Sequence, residues 1–268
     1  GLAKLCGYLP LPMRLAASTL AERPNITPAA YTQRLRSEQK RLELIEASLN
    51  LSHELLSIEQ QERWPALAVF PETFNEAAAA SVWGVEPGEA QEYLSELLAC
   101  SLVEWNEASA RYRLHDLTRV FAESRLSEAE RTAARLRHAT HYQNVLASAN
   151  NLYLEDGRGI ARGLEMFDLE RANIEAGQAW MISQADSDNE IARLCLSYLS
   201  SDIVIVYLRF YPRQRISLLE ASLKATRKLM HRGGEGVALH QLGIVHRQLG
   251  ETSNAVMLLE QALAIHRE

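Results

Sequence analysis

Apolar positions recur at helical spacing over residues 13–23, stop at Pro24-Asn25, and resume after Thr27-Pro28. A threonine ahead of a first-turn proline is a start signal: its hydroxyl accepts an end amide, and proline has none to satisfy. The second helix turns Tyr31, Leu35 and Leu42 to one side and shows Arg34, Arg36, Lys40 and Arg41 to solvent, a charged face more than a phosphate site. From Ala47, Leu49, Leu51, Leu55 and Leu56 form one apolar face and residues 58–70 another, closed by Pro71. Residues 74–83 read as a helix stopped by Gly84. Pro87 starts the next, with Ala90, Leu94, Leu97 and Leu98 inward. Leu102-Val103-Glu104-Trp105 then alternates as a strand, residues 106–110 turn, and residues 111–114 return. Helices followed by one β-hairpin predict a winged helix.

The remainder predicts helices throughout. Residues 128–148 and 164–184 are amphipathic and separated by an Asp156-Gly157-Arg158-Gly159 loop. Residues 203–208 are β-branched, but their helical surroundings favour a buried helix over a strand. Leu239-x-x-Leu242-Gly243-x-x-His246, Gly250, Ala255-x-x-x-Leu259 and Ala262 follow the small-large alternation of a tetratricopeptide repeat of about 34 residues. Gly243 and Ala255 mark the close approach of two antiparallel helices; Leu242, Leu259 and Ala262 fill the seam. Helices near residues 192–209 and 213–231 have the lengths of an earlier, degenerate repeat. Repeats need stacked neighbours, so the C-terminus reads as a cut. The N-terminus reads as another: there is no initiator Met, and Pro10 and Pro12 interrupt the apolar stretch that would otherwise imitate a signal peptide.

Composition sharpens this to a mainly α fold. Among 268 residues there are 13 Gly and 8 Pro, about 8% against an average near 12%, which favours long helices over many short strands. A formal net charge of −6 argues against bulk attraction to nucleic acid or acidic lipid. The helix at residues 88–100, where a winged helix would read DNA, carries Glu89, Glu92 and Glu96 with no Lys or Arg, so it would release no counterions in a groove. Cys6, Cys100 and Cys195 lie far apart, reading as small hydrophobes in a reducing cytoplasm. No apolar run approaches the ~20 residues of a membrane span. Neither G-x-x-x-x-G-K-[ST] nor G-x-G-x-x-G occurs, so no ATPase is expected of this chain alone. His53-Glu54-Leu55-Leu56-Ser57 begins like a zinc-protease motif but has Ser57 for the second histidine. His138 and His141 read as structural, with no nearby Cys or carboxylate to complete a metal site.

Two short segments carry a family resemblance. Cys6-Gly7-Tyr8-Leu9-Pro10-Leu11-Pro12-Met13-Arg14 resembles the G-L-P-L motif of NB-ARC domains, the nucleotide switches of STAND ATPases. Arg111-Tyr112-Arg113-Leu114-His115-Asp116-Leu117 resembles the M-H-D motif of the winged helix in the same family. Residues 167–174, Phe-Asp-Leu-Glu-Arg-Ala-Asn-Ile, look like the connector before tetratricopeptide repeats in bacterial members. The pattern departs at Tyr8, Pro12 and Leu114, where glycine, a small helix former and methionine are usual.

The resemblance implies four parts: a helical subdomain over residues 1–46, a winged helix over 47–126, a helical connector over 127–190 and a TPR-like α-solenoid over 191–268. It implies that Pro10, supported by Leu9, packs on the adenine of a bound nucleotide. It implies that His115 reaches the ADP β-phosphate, with Asp116 orienting it or capping the following helix. Pro10 equally suits a helix start, and His115 a hydrogen-bonded residue at a hairpin exit. ADP or ATP with Mg would bind only the full-length protein, through a preceding nucleotide-binding domain. The repeats would take a protein or peptide partner, and ligand-induced homo-oligomers would form. Two other readings stay open: a nucleotide-free interaction scaffold, and a DNA-binding winged-helix regulator.

Overall fold

The computed structural model describes residues 10–23, 26–36, 41–155, 157–185, 189–198 and 204–268. Leu9, Tyr8, Cys6, Asp156 and Ile203 lie outside them, as do the side chains of Leu35, Leu42, Arg34, Arg36, Lys40 and Arg41. The chain is mainly α-helical and divides into two compact units, Gly1–Arg137 and His138–Glu268.

In the first unit, α1 (Pro10–Glu22), α2 (Pro28–Arg36) and α3 (Arg41–Glu54) enclose a small core of Ala16, Tyr31 and Ala47, with Leu20, Ile26 and Leu51 against it. Thr27 caps α2 as its sequence predicts, accepting the Ala30 amide at 3.1 Å. The apolar stretch at 58–70 is not one helix. A capping box between Ser57 and Gln60 starts α4 (Ile58–Arg63), and a 3-10 turn, Trp64–Val69, replaces its continuation. Pro65 has no amide to extend the α ladder. The break buries Trp64 and Leu67 fully and leaves Ile58 77% exposed, so Ile58 is not part of the inward face.

Next come α5 (Glu76–Trp83), capped by Asn75 and closed by Gly84 at φ +72°, and α6 (Pro87–Ala99), with Ala90, Leu94 and Leu97 buried. The expected strand at 102–105 starts later. Ser101 takes a left-handed φ of +56°, the Leu102 amide bonds back to Leu97, and Leu102 and Val103 are both buried instead of alternating. The hairpin is β1 (Glu104–Asn106) and β2 (Arg111–Arg113), antiparallel, pairing Glu104 with Arg113 and Trp105 with Tyr112. Phe74 exchanges two 2.9 Å backbone bonds with Tyr112 and stacks on Phe70, tying the hairpin to the segment before α5. Then follows α7 (Asp116–Ser124). The first residues of α8 (Glu128–Leu154) complete the unit, with Arg137 donating to the Val82 carbonyl at 2.6 Å.

The rest of α8 and α9 (Arg158–Gln184) open the second unit. The expected loop at 156–159 is shorter than predicted, because Gly159 lies inside α9. A Cβ on Gly159 would sit 2.6 Å from the Leu152 carbonyl oxygen, and one on Gly163 2.5 Å from the Ala149 oxygen. These glycines let two backbones touch. The connector-like segment is structural: Phe167 and Ile174 are fully buried, and Asp168 takes Arg209 on both oxygens at 2.7 and 2.8 Å. The single helix expected over 192–209 is two, α10 (Asn189–Tyr198) and α11 (Val204–Arg209). Asn150, buried on α8, caps α11 by accepting the Val204 and Ile205 amides at 2.7 and 3.3 Å. The segment is helical, with Ile205 and Val206 buried and Leu208 exposed.

The chain ends in α12 (Pro212–Lys228), α13 (Arg232–Gln248) and α14 (Thr252–Arg267), each packed on the next. The predicted close approach is present. A Cβ on Gly243 would meet Leu259 at 2.7 Å and the Ala255 oxygen at 3.3 Å, while Leu242 and Ala262 are buried in the seam. His246, at a position usual for an aromatic, bonds Glu251 across the α13–α14 turn at 2.6 Å.

Candidate functional site

His115 is the N-cap of α7. Its backbone is extended, and its Nδ1 accepts the Leu117 amide at 3.3 Å. With Nδ1 accepting, Nε2 is the nitrogen of this half-buried imidazole that can donate, at a helix start whose amides favour anions. Tyr112 and Leu114, both buried, hold the hairpin exit that presents it. Asp116 is not the helix cap. His115 caps the helix itself, and Asp116, its side chain 84% exposed, is the first helical residue and pairs with Arg119 at 2.9 Å. Arg119 also donates to the Pro71 carbonyl, fixing α7 to the segment before α5.

A cleft of about 390 Å³ beside this cap is lined by two arginines, Arg113 and Arg119, two carboxylates, Glu72 and Asp116, and by Pro71, Thr73 and Leu114. Pro10 is the exposed first residue of α1, a position that needs no amide, with Leu11 and Pro12 buried behind it. The structure also shows a feature that sequence reasoning missed: Arg14 of α1 and Arg113 of β2 both bond Glu104. Arg14 and Glu104 are 90 residues apart, so only the cross-strand pairing of Glu104 with Arg113 was open to a reading of the hairpin.

The other titratable candidates are partly or wholly buried. His53 packs against Trp64 and Phe121, and burial lowers its pKa despite a bond to the Gln61 carbonyl. Cys195 is buried, its thiol pushed up to about 12; burial raises Cys100 as well. His138 and His141 are not isolated from carboxylates as the sequence suggested: Glu170, carried on α9 and buried, acts electrostatically on His141 and accepts from Asn173 at 3.2 Å. No group of three such side chains is arranged for a metal among the described residues.

Burial lowers His138 from 6.5 to about 3, against the opposing bond with Asn173, and lowers His141 too. A histidine depressed in the folded state binds fewer protons there than in the unfolded chain. Its contribution is present above pH 6.5 and is lost as pH falls from there toward the folded value. Stability should therefore fall by up to ~1.4 kcal/mol per pH unit for each fully shifted histidine. Melting at pH 7 and pH 5 checks this, and His138→Gln should flatten the slope.

In the second unit, a groove of about 300 Å³ is lined chiefly by apolar surface, with Leu196, Leu219 and Val237 forming its walls and Thr226, His231 and Gln241 adding polar groups. It runs between α10, α12 and α13, where successive repeat helices converge.

The fold and sites thus describe a helical chain with one hairpin, a half-buried capping histidine and a terminal repeat pair. By sequence it is similar to regulatory proteins named AfsR: 36% identical over 126 residues to that of Streptomyces griseus, covering 44% of this chain and 13% of that protein. It is 31% identical over 202 residues to that of Streptomyces coelicolor, covering 67% and 20%. The chain spans a fifth or less of the length of these curated relatives. No family model matches it. Among solved structures it is similar to a STAND protein with a tetratricopeptide-repeat sensor from Pyrococcus horikoshii, at 14% identity and a TM-score of 0.34, covering 96% of this chain and 53% of that one.

Proposed function

We propose that this chain is the regulatory and sensor portion of a STAND-type signal-transduction ATPase. The observation that carries the reading is His115: a cap that uses its own Nδ1 for the helix and keeps Nε2–H for a ligand suits an anionic phosphate at the start of α7. In this reading residues 47–126 are a winged helix, preceded by the helical subdomain and followed by the connector and TPR-like repeats. Similarity to regulators supports it. His115 and Pro10 would hold ADP together with a nucleotide-binding domain that supplies the P-loop and the magnesium carboxylate. The protein would work in the cytoplasm.

The repeats would bind a protein or peptide partner in the groove between α10, α12 and α13. A partner that prefers the open form shifts the population toward it, and the opened protein would self-assemble. DNA is the weaker partner class, because Glu92 and Glu96 face solvent on α6 while Glu89 is engaged with Arg63 at 2.6 Å. The groove alone would equally serve a nucleotide-free scaffold, and one measurement separates the two readings. The full-length protein should release ADP on denaturation, identified by chromatography; its absence would favour the scaffold.

A further inference from the structure

The two motif segments meet on one carboxylate. Glu104 lies opposite Arg113 in the hairpin and accepts from its Nε at 2.7 Å through Oε2, while Oε1 accepts from Arg14 on α1. The carboxylate is the sheltered member: its side chain is 16% exposed, against 47% for Arg14 and 56% for Arg113. Burial works against its charge, but the two guanidinium bonds prevail and hold its pKa below the usual range. An isolated exposed pair contributes little; one sheltered carboxylate shared by two arginines fixes both in place. Arg14 is one helical turn beyond Pro10, on the same side of α1, and Arg113 is two residues before His115. The hydroxyls of Ser18 and Ser101 and the bond from Arg23 to the Leu55 carbonyl add to the seating of α1.

We propose that Glu104 is a positioning residue of the nucleotide switch: by holding Arg14 and Arg113 together it sets the placement of the α1 start relative to the His115 cap, so that both grip the same nucleoside diphosphate. This rests on the nucleotide-switch reading above. Glutamine keeps the size of Glu104 but removes its charge and turns one of its two acceptors into a donor, so it can serve only one arginine.

The test measures release of bound ADP from the full-length protein. Glu104→Gln should release ADP at least about tenfold faster than wild type, while the nucleotide-free protein stays folded and melts only slightly lower, as the loss of a carboxylate with a depressed pKa requires. Adding Arg14→Gln should cause little further change, because the shared carboxylate is already lost. Release at the wild-type rate from Glu104→Gln, alongside fast release from His115→Ala, overturns the positioning role and leaves the switch standing. A wild-type protein that holds no nucleotide overturns both. If Glu104→Gln does not fold, Arg14→Gln alone decides: faster release supports the role, and wild-type release overturns it.

Discussion

Replacing His115 by alanine in the full-length protein is expected to speed ADP loss by roughly ten- to a hundredfold and to raise basal signalling. Hydrogen bonds involving a charged group contribute about 1.5–3 kcal/mol, which sets that range. The same substitution removes a helix cap, which costs about 1 kcal/mol of stability, so alanine alone confounds the two effects. His115→Asn separates them. Its carboxamide oxygen can accept the Leu117 amide as Nδ1 does now, but asparagine is too short to reach where Nε2–H points. Near-normal melting with rapid ADP release from the asparagine variant is the expected pattern. Normal ADP retention by both variants would return His115 to a purely structural cap and remove the main support for the switch.

Gly163→Ala should produce the largest loss of stability, about 3 kcal/mol or more, and lower the melting point of the second unit by roughly 10 °C. The added methyl would lie 2.5 Å from the Ala149 oxygen and 2.6 Å from the Tyr153 nitrogen. Both are backbone atoms, so no rotamer change relieves the overlap and α8 and α9 must separate. Gly233→Ala is the internal control: nothing lies within 4 Å of its Cβ position in α13, and alanine there should stabilise by up to about 1 kcal/mol through helix propensity. Urea unfolding of both variants checks the contrast. Equal stability of the two would mean that α8 and α9 do not make the contact described.

The gap between Gly163 and Gly233 shows where local reading ends. Both glycines sit inside helices and neither has a positive φ, yet one is pinned by a neighbouring helix and the other faces open space. Gly243 was legible because the repeat pattern supplies its partner, Leu259, at a known distance along the chain. Gly159 and Gly163 belong to no such pattern, and the loop-forming tendency of Gly157 and Gly159 made the turn look longer than it is. At Ile58 the error came from periodicity. An apolar residue at the start of a short capped helix has no burial to gain when Pro65 ends the run and Trp64 takes the core position.

The site divides along the same line. A histidine just ahead of an amphipathic run, at the exit of a hairpin, already places an imidazole near a helix start. That the imidazole is itself the cap, with Asp116 turned to solvent and paired to Arg119, depends on side-chain rotamers that spacing does not encode. The link from Arg14 through Glu104 to Arg113 needs α1 laid beside the hairpin.

The sequence by itself determined the mainly α architecture, the hairpin, the helix starts at Thr27 and Pro87, the stop at Gly84 and the seam of the terminal repeat. These depend on interactions within a few residues or on a repeated spacing. Tertiary structure decided which glycines are contact points, that Asn150 caps a helix more than fifty residues away, and that the half-buried Glu104 carboxylate joins Arg14, 90 residues away, to its hairpin partner Arg113. Such contacts form only when packing of apolar surface has brought separate segments together and left each polar group to find its partner there.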